Sequence, residues 1–404
     1  MNILKKLFER DDVGIDLGAA NMRVWVRGKG LVMDEPSVVT LPRLCHFGSE
    51  PRILAVGAEA AKLMGESDNV RKSGMGFMPQ QECSPLALVR LGVIESGAPL
   101  ARLPGVFLDE YPESGDSWYY LRNDCYAVWP RKEHVIADVE IISKMLRYCL
   151  AKAKDAVEGT FRKPRVVIAV PVDITEVERR ALEDAAHSAG AGKVLFFDNR
   201  MAVALGVGCN TCEPKGCMFV DIGASMTTIA LVSSYGNIRA RTLRVGGDEM
   251  DNAIVKHMRH RHKLLIGEQD AEDMKIKIGT ARKLEEERDC EIKGSDLVEG
   301  DHRTVNINSR EVREEVLDRV LVRIEDALSD FLKFDVPECL AANLARNGIV
   351  LTGGGALLPG LDKRLADATG LPVRVADDPA HAAIEGVAVV LYELDFLSKK
   401  ARRH

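Results

Sequence analysis

The residues with the clearest chemical capacity are two aspartates, Asp16 and Asp221, each standing where a short apolar run meets a glycine. The first stretch reads Gly14-Ile-Asp-Leu-Gly-Ala-Ala-Asn21 and the second Phe219-Val-Asp-Ile-Gly-Ala-Ser-Met-Thr227, and a β-rich run follows each. In a glycine-containing turn the backbone amides are free to point at an anion, and a carboxylate beside them can hold a hydrated divalent cation. One such turn is a weak phosphate signal. Its repetition, with Asp16 and Gly18 matching Asp221 and Gly223, implies two related halves that each offer one loop to the same phosphates. Two further glycine junctions add to this. Val245-Gly246-Gly247-Asp248 permits close backbone approach to a ligand, although a plain turn is the commoner use of paired glycines. Gly353-Gly-Gly-Ala-Leu-Leu358 follows an apolar run from Gly348 to Thr352, a strand-to-glycine-to-helix junction against which a nucleotide can lie.

The elements that must position these loops are legible in the pattern. Arg165 to Pro171 is a continuous branched apolar run, the mark of a buried strand. Thr175 and Glu178 then form a capping box for a helix that stops near Gly190. A second buried strand, Lys193 to Phe197, ends in Asp198-Asn199-Arg200 and passes into a small-residue helix, Met201 to Gly208. This β-α-β-α order with short connections implies an α/β domain. Val135 to Lys154 and Ala55 to Met64 read as helices. Asn308 and Glu311 are placed to cap a long amphipathic helix carrying Val312, Val316, Val320, Ile324, Leu328 and Phe331 on its apolar face. The last helix spans His381 to Tyr392, before a basic tail from Lys399 to His404.

At 404 residues, with 46% hydrophobic and 29% charged residues, the chain can bury sizeable cores, and two domains are expected. A net charge of −6 offers no electrostatic reason for a nucleic-acid partner. No apolar run reaches the roughly 18–20 residues that span a bilayer, and the N-terminus lacks a signal-peptide core with a cleavage site, so a cytoplasmic location is expected. Nine cysteines, an odd number and scattered, fit reduced thiols better than a disulfide framework. Cys209, Cys212 and Cys217 are the one cluster, without the second pair that a zinc site would need. His257, His260 and His262 could serve a metal but lie among Lys and Arg, and read as a solvated basic face.

Two regions stand apart from this frame. In residues 1–12, Ile3, Leu4, Leu7 and Phe8 share one helical face, with Lys5, Lys6 and Arg10 off it. That suits a short interfacial helix on an anionic membrane, or equally a terminal helix packed on its own domain. Residues 73–130 are rich in Gly and Pro and hold four of the seven tyrosines and two of the three tryptophans. An extra β-rich lobe with its own small core is favoured over a contact surface.

Together these stretches resemble the actin/heat-shock-chaperone/sugar-kinase superfamily, and within it the MreB-type bacterial actins. The resemblance rests on Gly14-Ile-Asp-Leu-Gly18, Gly28-Lys-Gly30, Asp34-Glu-Pro-Ser-Val-Val39 and Val177-Glu-Arg-Arg-Ala181. It continues through Val245-Gly-Gly-Asp-Glu-Met-Asp251, Ile266-Gly-Glu268, Ile278-Gly279 and Leu351-Thr-Gly-Gly-Gly-Ala-Leu-Leu358. It implies an α/β fold, the duplicated ribonuclease H-like two-domain fold of actin with an interdomain nucleotide cleft for ATP and Mg2+. The expected layout is an amphipathic membrane-binding segment at 1–12 and a first domain at 13–215. The small lobe of that domain covers about 41–134 and carries an insertion at about 73–128. A second domain follows at 216–376, then a C-terminal helix returning to the first domain, with the basic tail, at 377–404. Carried over by motif, Gly18, Ala19, Ala20 and Asn21 belong to the first phosphate loop, and Gly223, Ala224, Ser225, Met226 and Thr227 to the second. Asp16 and Asp221 would hold Mg2+ through water. Glu272 and Lys275 fall on the nucleoside side, and Gly354, Gly355, Ala356 and Leu357 on the adenine side. For residues 1–12 the resemblance favours the membrane helix.

The departures from the family pattern bear on catalysis. The first loop lacks two hydroxyl residues usual there, at Ala19 and Met22. In the second, which usually reads Asp-Ile-Gly-Gly-Gly-Thr-Thr-Glu, Ala224 and Ser225 stand where glycines are usual and Met226 where a threonine is, and Lys277 replaces an acidic residue near the nucleoside. Asn199 occupies the place of the glutamate that positions the attacking water. An asparagine can hydrogen-bond that water but cannot take its proton. Asp198, one residue off and the nearest carboxylate, is a poor substitute. The expectation is therefore a filament-forming, membrane-associated cell-shape protein of the cytoplasm. It would bind ATP with hydrolysis slow or lost, pair with itself and with envelope-synthesis or cell-shape proteins, and have no nucleic-acid partner. The alternatives are a nucleotide-independent scaffold and, less favoured, a small-molecule kinase of the same superfamily; a chaperone reading lacks a peptide-binding domain.

Overall fold

Both aspartate–glycine runs fold as first arms of antiparallel hairpins in the computed structural model, which describes residues 12–42, 55–65, 121–122, 125–128, 139–157, 163–172, 174–209, 216–233, 237–298 and 300–401. The strands of the N-terminal part are β1 (Val13–Leu17), β2 (Asn21–Val26), β3 (Gly30–Pro36), β4 (Val39–Pro42), β5 (Ala55–Val56), β6 (Leu121–Arg122), β7 (Cys125–Val128), β8 (Arg165–Val170) and β9 (Lys193–Asp198). They form a five-stranded sheet in the order β3-β2-β1-β8-β9 and a four-stranded one in the order β5-β4-β7-β6. Strands β1 and β8 are buried at every position, as their unbroken apolar runs require, whereas β2 alternates and leaves one face half-exposed.

The chain divides into two compact units, Met1–Val166 with Asp173–Leu195, and Val167–Val172 with Phe196–His404, the boundary passing through β8 and β9. In the first unit the fully buried Asp12 is neutralised by Arg165, whose Nε donates at 2.8 Å, and by Arg27 at 3.2 Å. Helix Glu176–Ser188 begins in the predicted capping box: the Glu178 amide donates to Thr175 Oγ1 at 3.2 Å, and the Thr175 amide to Glu178 Oε2 at 2.8 Å. The predicted helix from Ala55 instead starts at Ala58, because Gly57, at φ +66°, turns the chain after β5. A Cβ at Gly57 would stand 2.4 Å from Glu35 Oε2, the carboxylate that accepts the Ala58 amide at 2.8 Å.

The second unit continues with β10 (Cys217–Ile222), β11 (Thr227–Ser233), β12 (Asn237–Leu243), β13 (Leu264–Leu265), β14 (Asp289–Asp296), β15 (His302–Asn308), β16 (Ile349–Thr352) and β17 (Val373–Val375). Its main sheet runs β12-β11-β10-β16-β17, and β13-β14-β15 form a smaller one. The period-2 geometry of strands sorts the main sheet's side chains to two cores. Met218, Val220, Ile222, Ile229, Leu231, Ile349 and Leu351 join one with helices Gly247–Arg261, Glu268–Ile278 and Asp318–Phe334. Phe219, Ala230, Val232 and Val350 join the other with helix Asn199–Gly206. That helix crosses the C-terminal helix Ala382–Ala401, longer than predicted, at contact distance between backbones. A Cβ on Gly206 would lie 1.8 Å from the Ala382 carbonyl oxygen, and one on Gly386 1.7 Å from that of Ala202.

Two expectations change. The helix after Asn308 is not regular: Ser309–Glu311 passes into a π-helical stretch, Val312–Leu317, before the α-helix from Asp318. Cys209 and Cys217 form a disulfide, with Cα atoms 5.8 Å apart, where reduced thiols were expected. The helix end and the start of β10 bring these two cysteines together, a proximity that their spacing in the sequence does not reveal. The N-terminal Ile3, Leu4, Leu7 and Phe8, Cys212 and most of the aromatic insertion lie outside the described residues. Among the described residues no helix is long and apolar enough to cross a membrane.

Candidate functional site

In the second unit, β10 and β16 run parallel with Asp221 beside Thr352, so the 223–226 turn and the glycines after Thr352 leave the same sheet end. Ligands of parallel α/β sheets bind at such carboxyl ends of strands. The turn is closed by the Gly223 amide donating to the Met226 carbonyl at 2.8 Å. Against it lies the start of helix Gly247–Arg261: the Gly247 amide donates to the Gly223 carbonyl at 3.0 Å, and the Asp248 amide to that of Ala224 at 2.8 Å. This approach needs a glycine at 246, where a Cβ would stand 2.3 Å from the Ala224 carbonyl oxygen. Thr227 is fully buried, and its hydroxyl donates to the Val245 carbonyl at 2.7 Å, so it acts as a brace of the turn.

The third junction packs as tightly. Gly353, at φ +81°, lies where a Cβ would meet the Ile222 carbonyl oxygen at 2.4 Å and Asp221 Oδ1 at 2.5 Å. The following 3-10 turn, Gly354–Leu357, places Gly354 in open space with Ala356 buried and Leu357 exposed. Lys275 crosses to this group, its Nζ donating to Asp251 at 2.7 Å and approaching the Gly247 carbonyl at 3.4 Å. Burial pushes the Asp251 carboxyl up to about 7; Lys275 opposes the shift, while Glu272 and Asp248 add to it. Glu272 itself is exposed. The structure thus brings residues 221–227, 246–251, 275 and 353–357 together.

Asp198 and Asn199 open helix Asn199–Gly206. Asp198 is its N-cap, accepting the Arg200 amide at 2.9 Å, and it also pairs with the Arg200 guanidinium at 2.6 and 3.0 Å. A carboxylate held this way by its neighbour is poorly placed to serve as a base. Asn199 Oδ1 and Ser225 Oγ are buried with no hydrogen-bond partner. Buried polar atoms are rarely left so, and a ligand rich in donors and acceptors would satisfy them. In this respect the residues present fit a nucleotide.

In the first unit the counterpart turn is braced by side chains. Arg23, directly across the hairpin from Asp16, lies 3.7 Å from its carboxylate and 3.2 Å from Asp34. Asn21 Nδ2 donates to Asp34 at 2.8 Å, and the Ser37 hydroxyl donates to the Gly18 carbonyl at 2.7 Å. Ala19 and Ala20 complete this turn, and the Ser37 amide bonds the Ala20 carbonyl at 2.7 Å. Sequence reasoning missed Arg23, Ser37 and Asp251. Arg23 was within reach, since a four-residue turn after Leu17 sets it opposite Asp16.

Comparison with known proteins settles the ancestry. The family model for MreB/Mbl protein matches residues 10–72 and 121–399. The chain belongs to the MreB/Mbl family. This MreB/Mbl chain is 34% identical to the cell shape-determining protein Mbl of Bacillus cereus over 98% of its length and 100% of that protein. It is 35% identical to the cell shape-determining protein MreB of Escherichia coli, over 95% of its length and 94% of that protein. Among solved structures, MreB 5 of Spiroplasma citri bound to AMPPNP superposes with a TM-score of 0.76 at 28% identity, covering 97% of this chain and 99% of that one. A MamK double helical filament, at 17% identity and TM-score 0.63, shares the fold, which is actin-like.

Proposed function

We propose that this chain is a cell-shape cytoskeletal protein that binds ATP with Mg2+ and polymerises into filaments on the inner face of the cell membrane, with slow or no hydrolysis. In this reading the turn Gly223–Thr227 serves the phosphates, as does the turn 18–21, and Gly354–Leu357 accept the base. Lys275 and Glu272 stand on the nucleoside side, and Asp16 and Asp221 hold the hydrated cation, which would shield the phosphate charge when bound. The observation that carries the reading is the Asn199 amide oxygen, buried without a hydrogen-bond partner, on the residue that by motif takes the place of the water-positioning glutamate. It can orient a water but cannot accept its proton. The names of the relatives, a nucleotide analogue in one neighbour and a filament in another support the assignment. Ile3, Leu4, Leu7 and Phe8 would supply the membrane contact, one weak anchor per subunit multiplied along a polymer.

Sedimentation and phosphate release with and without ATP-Mg2+ test this directly. Nucleotide-dependent pelleting with little phosphate released is expected. A chain that neither sediments nor binds nucleotide refutes it. A nucleotide-independent scaffold is the second reading, favoured by the charge pairing of Asp16 with Arg23. Saturable ATP binding in isothermal titration removes that alternative.

A further inference from the structure

The predicted basic face of helix Gly247–Arg261 is not uniformly solvated. His257 lies in its last turns, and His262 is its C-cap residue. Five residues apart on a regular helix, two side chains would point in well-separated directions. Here the chain leaves the helix at His262 and reverses at Lys263, the one non-glycine residue with positive φ (54°) among those described, so the two imidazoles converge. The Arg303 guanidinium holds the His262 carbonyl from β15. Glu311, expected to close a capping box with Asn308, instead turns toward both rings. Its Oε1 lies 2.7 Å from His257 Nε2 and 2.5 Å from His262 Nε2.

We propose that His257, His262 and Glu311 form a binding site for a divalent transition-metal ion of the zinc class. One nitrogen of each histidine and one carboxylate oxygen lie within 4.8 Å of one another. Ligands about 2.0–2.1 Å from a tetrahedral zinc stand roughly 3.3 Å apart, so each imidazole nitrogen, now 2.7 or 2.5 Å from Glu311 Oε1, needs to draw back from that oxygen by less than an ångström to admit an ion. The rings approach from different directions, 66° between planes and 5.8 Å between centroids, as ligands of one ion do and stacked rings do not. Imidazole nitrogen selects zinc, cobalt or nickel over magnesium or calcium, which take oxygen donors. The side chains are 12%, 21% and 23% exposed, which shields the site yet leaves a side open for water as a further ligand. An outer carboxylate is also in place: Glu315 Oε2 lies 4.0 Å from His257 Nδ1, the ring nitrogen a metal would leave as donor. Glu311 and Glu315 flank the start of the π-helical stretch, an irregularity that shifts residues on one helix face relative to an α-helix. A bound ion would fasten helix 247–261 to the 309–334 helix within the second unit.

Without an ion, the same atoms can make two hydrogen bonds to one oxygen, and the test must separate these states. The full-length chain, stripped with a chelator and free of nucleotide and Mg2+, is titrated with Co2+ and then Zn2+. One equivalent of Co2+ should bind and give the intense visible bands of a four- or five-coordinate ion, which Zn2+ abolishes by displacement. His262→Gln and Glu311→Gln should each weaken binding at least about tenfold, and Glu315→Gln by a smaller factor. Changes at the exposed His260 and Cys339 should leave the titration unaltered. Zinc should raise the melting temperature of the parent chain and not of the two ligand variants. Far-UV circular dichroism reports whether each variant folds; if they do not, the parent spectrum decides alone. A faint six-coordinate cobalt spectrum, no binding, or binding unchanged in folded His262→Gln and Glu311→Gln would overturn the proposal.

Discussion

The hairpins β1–β2 and β10–β11 are built to one plan and stiffened in two ways. Leu17 pairs with Met22 and Ile222 with Thr227, so each leaves a four-residue turn just past its aspartate, and the sheets run in matching orders. The first turn is braced by charged and hydroxyl side chains, Arg23, Asp34 and Ser37. The second is braced chiefly by backbone, with Gly246 and Gly247 pressed against Gly223 and Ala224 and one neutral side-chain bond, from the Thr227 hydroxyl, beside them. A side-chain brace tolerates change and weakens with salt, whereas a backbone brace has no slack and depends on the absence of a Cβ.

The comparison breaks most sharply at Gly246. Gly246→Ala puts a methyl into the Ala224 carbonyl and should cost roughly 2–3 kcal/mol in denaturant unfolding, abolishing ATP binding as well. Gly206 and Gly386, at the helix crossing, should behave similarly in stability with less effect on nucleotide. The next effect is on pH, where the halves respond in opposite senses. Asp251, raised to about 7 by burial, holds a proton in the folded state that the unfolded chain has released. Its contribution is full below about pH 4 and is lost as the pH rises toward 7, so Asp251→Asn should flatten the pH–stability curve across that window. Glu35 behaves inversely. Burial would raise its pKa, but the Ala58 amide, the Tyr148 hydroxyl and the Lys152 ammonium outweigh that and leave it lowered. Its contribution is present above the ordinary glutamate range and is lost on acidification, and Glu35→Gln should remove that acid-side loss. The smallest effect is expected at Arg23: Arg23→Met should cost about 1 kcal/mol, less at high salt, because its contact with Asp16 is long, at 3.7 Å.

How much of this was legible follows from the range of each signal. The hairpins, the capping box at Thr175 and the glycine junctions rest on local pattern, and the strands around Asp16 and Asp221 could be read from their apolar runs. The partners of Glu311 and the cross-helix pair of Asp251 with Lys275 depend on how elements apart in sequence pack, and the Cys209–Cys217 bridge, though only eight residues long, on how the end of helix Asn199–Gly206 meets β10. A Glu three residues after Asn308 is the pattern of a capping box, and tertiary contact with two histidines overrode it. The π-helical stretch after it leaves no local mark, since the apolar spacing from Val312 to Phe331 suits a continuous helix.

In the proposed reading the nucleotide site is kept while the means of activating water is lost at Asn199. Its most direct test is single-turnover phosphate release from bound ATP-Mg2+ by the parent chain and by Asn199→Glu, with ATP affinity measured for both. Equal affinity with release faster by about a hundredfold or more in Asn199→Glu is the predicted result. Rapid release by the parent chain, unchanged by the substitution, would contradict it.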